Sequence, residues 1–368
     1  MKFHYYFFLL LSLLINTTVL AQEKAKDKDP FYIRLTVDED LFLVQSTDQF
    51  YSFGAEIKVG FKGLDNKFTR SFLFAQKEGH SLFDFGIVHK MYTPRNSQLT
   101  EVDSSDIPYC GVTYLSITRQ AFNPSNGLVI KTRLDVGFVG ELSGAKAFQN
   151  GFHNLIGNGS IDGWDNQIAN GLYLNYTAEV MHNFISSFKY SDVFLVGRGT
   201  VGTMDMSFEG SLFLRLGIFN DYFVQAERPY SKKTNLDNFY SIRKTRYSKA
   251  KYAESFWIGD EEVRRSAISN WVHHHFKPNQ FYVKFITGAE LNLYDGEMSG
   301  SLISFESSPY VIPYNMTPKL LYKVSIGFVL SYHFGSLEYN WDRITYDPEN
   351  NFPPYYPKWG RFNINLNL

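Results

Sequence analysis

Arg361-Phe362-Asn363-Ile364-Asn365-Leu366-Asn367-Leu368 ends the chain, and its strict alternation of apolar and polar side chains decides the fold. A strand turns successive side chains to opposite faces, so this segment offers one face to oil and the other to water. The same period returns upstream. Phe31, Ile33, Leu35 and Val37 alternate with Tyr32, Arg34, Thr36 and Asp38, and Ala55, Ile57, Val59 and Phe61 oppose Glu56 and Lys58. Leu128, Ile130, Leu134, Val136 and Phe138 face away from Lys131, Arg133 and Asp135. Phe281, Val283, Phe285, Ala289, Leu291 and Leu293 oppose Lys284, Glu290 and Asn292.

Roughly twelve such segments are present, near 31–43, 51–62, 79–92, 109–119, 127–139, 171–186, 192–203, 206–219, 280–294, 318–333, 335–346 and 359–368. Many are about ten residues or longer, which is what a tilted strand needs to cross a bilayer. An even number of strands closes a sheet on itself and leaves no unpaired edge in lipid, where each missing hydrogen bond costs several kcal/mol. The expected fold is therefore all-β, a transmembrane antiparallel barrel of about 12 strands with a short extracellular helix. A soluble sandwich or ligand-binding barrel fits less well, because its strands are usually shorter and rarely keep an apolar face all round.

Composition agrees. Among 368 residues, 36 basic side chains balance 37 acidic ones, which excludes a charge-driven nucleic-acid binder. The 44% apolar content excludes a disordered chain, and the single Cys110 excludes an internal disulfide or a thiolate metal knuckle. Aromatic residues reach 17%, as girdles of Tyr and Phe at two membrane interfaces would require. The first 21 residues read as a signal peptide: Lys2, an apolar run from Tyr5 to Ile15, and a small residue, Ala21, at the cleavage point. Residues 22–368 then form one barrel domain, with no later apolar stretch long enough for a helical span.

Two stretches break the strand rhythm. Between Gly144 and Gly157, Ala145, Ala147, Phe148, Phe152, Leu155 and Ile156 recur at three- and four-residue spacing, which predicts a short amphipathic helix. The connection from Asp221 to Asn279 carries Lys232, Lys233, Arg243, Lys244, Arg246, Lys249 and Lys251. If strand one rises from the periplasm, this connection after strand eight falls on the periplasmic side, although barrels keep their long loops outside; either the strand count is off by one or this barrel departs from that rule.

Three groups of residues could carry chemistry. Asp38, Glu39 and Asp40, with Ser52 shortly after, put hard oxygen ligands around the first turn, which suits calcium. Strand parity places Asp38, Asp40 and Ser52 on the polar face and Glu39 on the other, unless a bulge rotates it. Gln149 and His153 lie four apart on one face of the helix, where a histidine could act as a general base. Gly163-Trp164-Asp165-Asn166-Gln167 reads as a turn that docks the helix onto the rim. No G-x-S-x-G elbow is present, and His273, His274 and His275 splay apart on any regular element, so neither a serine lipase nor a histidine metal site is favoured.

The order of motifs is similar to that of the lipid A 3′-O-deacylase family of outer-membrane proteins. Asp38-Glu39-Asp40, Tyr51-Ser52-x-Gly54, Met91-Tyr92-Thr93-Pro94, Asp106-x-Pro108-Tyr109-x-Gly111, Gln149-Asn150-x-x-His153 and Tyr294-Asp295-Gly296 carry the resemblance. It implies a calcium-dependent ester hydrolase that removes the 3′-acyloxyacyl group of lipid A in the outer membrane of a Gram-negative bacterium, acting as a monomer. It further implies that His153 is the base, that Gln149, Asp40 and Ser52 complete the site, and that Asp40 and Glu39 hold the ion. The chain departs from the family at Glu39, where asparagine is usual, and at Gln49 and Ile107, where many members carry arginine. Rival readings are a non-catalytic barrel, a pore or structural protein, and an outer-membrane phospholipase.

Overall fold

The computed structural model describes residues 31–39, 42–43, 50–76, 79–96, 101–123, 126–157, 159–186, 190–220, 222–223, 280–332, 335–346 and 357–367. Twelve strands dominate it. The first six are β1 (Phe31–Glu39), β2 (Phe50–Phe61), β3 (His80–Thr93), β4 (Cys110–Asn123), β5 (Leu128–Val139) and β6 (Gly171–Ser186). The rest are β7 (Ser191–Gly202), β8 (Asp205–Ile218), β9 (Gln280–Asp295), β10 (Leu320–Tyr332), β11 (Gly335–Thr345) and β12 (Lys358–Asn367). Each pairs antiparallel with its sequence neighbours, and β1 pairs with β12 from Tyr32↔Asn367 to Glu39↔Gly360, which closes the barrel. The expected fold class and strand number are both found.

Parity sorts the side chains as the alternation requires. Ile57, Ile87, Leu115, Val136, Leu212 and Phe328 are exposed on the outer surface, an apolar wall that only lipid can cover. Their strand neighbours point inward and neutralise one another. Arg133 bridges Glu56 (3.3 Å) and Asp135 (2.6 Å), Arg198 bridges Glu179 (2.7 Å) and Glu209 (3.1 Å), and Lys323 joins Glu209 (3.3 Å) to Glu290 (2.5 Å). A lumen cavity of about 560 Å³ lies within this lattice, lined by Arg34, Glu56, Lys58 and Asn365 among others.

Both chain-end strands, β1 and β12, place residues 31 and 367 on one side of the barrel, and β8 ends and β9 begins on that same side. The strand count therefore stands. Residues 224–279, including the basic cluster and His273–His275, lie outside the described residues, as do residues 1–30 with the signal peptide. At the side of the chain ends Arg215 is fully buried, paired with Asp192 and with the rings of Phe219 (4.2 Å), Tyr222 (5.1 Å) and Tyr282 (5.4 Å) around its guanidinium. On the opposite side lie the expected helix, Ala145–Ile156, here termed the outer helix, and a loop over residues 296–317.

Candidate active site

The outer helix begins with a tight turn off β5. Gly140 sits at φ 90°, a conformation that L side chains rarely adopt, and its N–H donates to the Gly111 carbonyl at 2.9 Å. The turn throws the chain outward over the wall instead of across the mouth. Ala145, Gln149 and His153, spaced four apart, form the buried stripe of the helix, whereas Phe148 and Leu155 are exposed. This polarity is inverted relative to a helix on a soluble protein: the polar pair faces the protein and large apolar side chains face out. Where the solvent is lipid, that is the favourable arrangement, because hydrocarbon takes up Phe148 and Leu155 and the imidazole and amide are sheltered from it.

The wall beneath is a row of directly paired residues, Glu39↔Phe53, Phe53↔Met91 and Met91↔Gly111, running across β1 to β4. Phe148 packs on Phe53 (5.1 Å between ring centres), and Met91, Tyr109, Ala145, Ile161 and Trp164 form one buried cluster. Gln149 is oriented from the turn that follows the helix. The indole N–H of fully buried Trp164 donates to Gln149 Oε1 at 2.5 Å, and Tyr109 packs against the indole (5.0 Å). Asn150 exchanges two hydrogen bonds with the Ile161 backbone (2.8 and 3.3 Å), and Lys146 pairs with Asp165 at the surface. The turn over 163–167 thus docks the helix as its sequence suggested.

A neighbouring loop is held by Tyr310, whose hydroxyl donates to the Asp106 carbonyl (3.0 Å) and lies 3.2 Å from that of Ser104. Burial and the nearby carboxylates of Asp103 and Asp106 raise its phenol above the ordinary tyrosine range. Ile107, a family arginine position by resemblance, is buried in this loop. Gln49 lies outside the described residues.

The predicted site residues separate into three sets. His153 and Gln149 are brought together against the outer wall, and Glu39, buried, ends the same row. Asp40 lies outside the described residues. Ser52 requires a correction to the parity reading. A register shift between Tyr51 and Phe53 makes Ser52 the extra residue of a bulge, and its hydroxyl donates to the Met91 carbonyl at 3.2 Å. Asp38 stays on the inner face, accepting from Tyr51 (2.8 Å) and Arg361 (2.7 Å), so Ser52 and Asp38 do not share a polar face.

For calcium, Glu39 is a hard-oxygen donor on the outer row, and among the described residues no three acidic or histidine side chains gather around a common point. The lumen cavity is on the other side of the wall from Gln149 and His153.

Three residues of this site escaped the sequence reading: Gly111 as the contact point of the helix, Thr113 and His89. Gly111 has no room for a Cβ, which would fall 2.3 Å from Ala145 Cβ. His89 and Thr113 form a directly opposed pair on β3 and β4. The signal for His89 was present as a polar interruption in the outward row Phe85, Ile87, His89, Met91.

A family model described as outer membrane protein LpxR matches residues 7–368. The chain belongs to the LpxR family. Among solved structures it is similar to LpxR from Salmonella typhimurium, with a TM-score of 0.61 at 14% identity, covering 91% of this chain and 99% of that one. At that identity the likeness establishes a shared fold, that of the LpxR barrel. Weaker matches are the β domain of the Bordetella autotransporter BrkA (TM-score 0.38, 10% identity, 93% of this chain and 99% of that one) and the translocator domain of NalP from Neisseria meningitidis (0.38, 9%, 97% and 95%). No curated protein sequence matches the chain. As an LpxR-family protein it resides in the outer membrane.

The indole–amide bond gives a direct test of how the LpxR-type helix is held. Trp164→Phe keeps the packing but leaves buried Gln149 Oε1 without its donor, a loss of about 1–3 kcal/mol. Amides of the outer helix should then exchange faster by a corresponding factor while barrel amides do not change.

Proposed function

We propose that this protein is a lipid A deacylase that hydrolyses the ester at the 3′ position, releasing the acyloxyacyl group in a calcium-dependent reaction. The observation that carries the reading is the inverted outer helix, which keeps an imidazole and an amide on the lipid-facing wall. A lipid reaching the site sideways from the outer leaflet leaves its acyl chains against Phe148 and Leu155 while its ester moves in beneath the helix toward Gln149 and His153. His153 takes the proton of an attacking water as general base and returns it to the departing alkoxide oxygen. Gln149, held by Trp164, directs its amide N–H₂ toward the ester. Glu39 and Asp40 would hold calcium, which when bound supplies positive charge toward the ester carbonyl. Ser52, the bulge residue of β2, would complete the site with its hydroxyl.

The expected result is release of the 3′ acyl group from purified lipid A in calcium and its loss in chelator, read by mass spectrometry. Equal release in both would reject the calcium dependence, and turnover of glycerophospholipid in preference to lipid A would transfer the chemistry to a phospholipase. The pore alternative has less support, because paired charges and the Arg215 cluster crowd the lumen.

A further inference from the structure

His89 stands on the outer face of β3, opposite Thr113 and four residues from the strand end at Thr93, about 13 Å along the strand toward the membrane interior. Its proton can be placed. The Thr113 hydroxyl donates to the Ser143 carbonyl at 2.7 Å, a partner that can only accept. That hydroxyl has one hydrogen, so in the 2.7 Å contact with His89 it is the acceptor and Nδ1 is the donor. The neutral ring therefore carries its lone pair on Nε2.

Nε2 is buried, and no donor among the described residues reaches it. The ring lies against Phe148 (5.2 Å) and Phe53 (6.5 Å), both apolar, and Phe148 is itself 48% exposed on the lipid side. A buried acceptor left without a donor costs free energy, so a ligand that brings one gains what the free protein lacks. His89 lies two residues along β3 from the row that ends at Glu39 and is walled by Phe53 and Phe148, surroundings that suit an acyl chain; the donor such a chain can bring is a hydroxyl.

We infer that His89 Nε2 accepts a hydrogen bond from a hydroxylated acyl chain of the bound lipid, so that the site selects lipids whose chains carry that group. The inference rests on the deacylase reading for its substrate, but it concerns recognition and not the hydrolytic step. His89 is a specificity-determining residue, and Phe148 is the side chain that must shift to admit the hydroxyl.

The test uses the full barrel in detergent micelles and two synthetic lipids that differ only in whether their acyl chains bear the hydroxyl. The wild type is expected to release acid from the hydroxylated lipid about tenfold faster than from its deoxy partner, the value of one neutral hydrogen bond. His89→Leu should bring that ratio close to one, and His89→Gln, which keeps an acceptor, should restore part of it. A ratio near one in the wild type overturns the inference. So does His89→Leu if it slows both lipids by a common factor, since a strut that merely holds the outer helix through Thr113 and Ser143 would act on both alike. Competition binding of the matched non-hydrolysable ether lipids separates the two readings. If neither ester is cleaved yet the ether pair differs in affinity and His89→Leu erases the difference, the deacylase reading fails and the recognition stands. Equal affinities of the ether pair for the wild type reject the recognition.

Discussion

His153→Ala is expected to lower acyl release by about 10²–10⁴-fold, the range of a lost general base, with the barrel intact. The side chain belongs to a helix outside the strand ladder, so its truncation breaks no ladder hydrogen bond. Folding is read from heat-modifiable gel mobility and release from mass spectra of lipid A. Retained release in a folded variant would remove His153 from the mechanism. Gln149→Leu offers a comparison: it keeps the volume and removes the amide, so a smaller loss than at His153 is expected.

Gly111→Val should cost nearly as much by a different route. The added Cβ would meet Ala145 Cβ at 2.3 Å and Ser143 Oγ at 2.4 Å, both belonging to the segment that carries His153. Either the helix or the wall must yield, and β4 is pinned on both sides by its ladder. A displacement of about 1 Å at a catalytic group is enough for a hundredfold loss. Valine suits a strand better than glycine does, so the barrel itself should be no less stable. A variant with normal activity would show that the helix does not work from this distance; one that fails to fold would contradict the account of which element gives way.

Those two sites differ in how they stood in the sequence. The barrel was legible because a period of two repeats along about half the chain and lipid enforces it: a polar side chain turned outward has no partner there. Gln149 and His153 were legible as a helical pair, but not which face of the helix they would occupy. Amphipathic spacing alone assigns the apolar side to a core, and only the bilayer reverses that assignment. Ser52 was misplaced because a bulge inserts a residue without glycine, proline or any other local mark, and parity counted through it fails by one. His89 was passed over since a lone polar residue in an apolar row looks like noise until the Thr113–Ser143 chain fixes its tautomer. The Gly111 contact depends on a residue 34 positions away, Ala145, and no periodicity encodes such an approach.

On the proposed reading the chemistry takes place on the tube's outside, while Arg215 and the aromatic rings around it lie within the tube near the first and last strand ends. Remodelling of surface lipid is thereby separated from permeability.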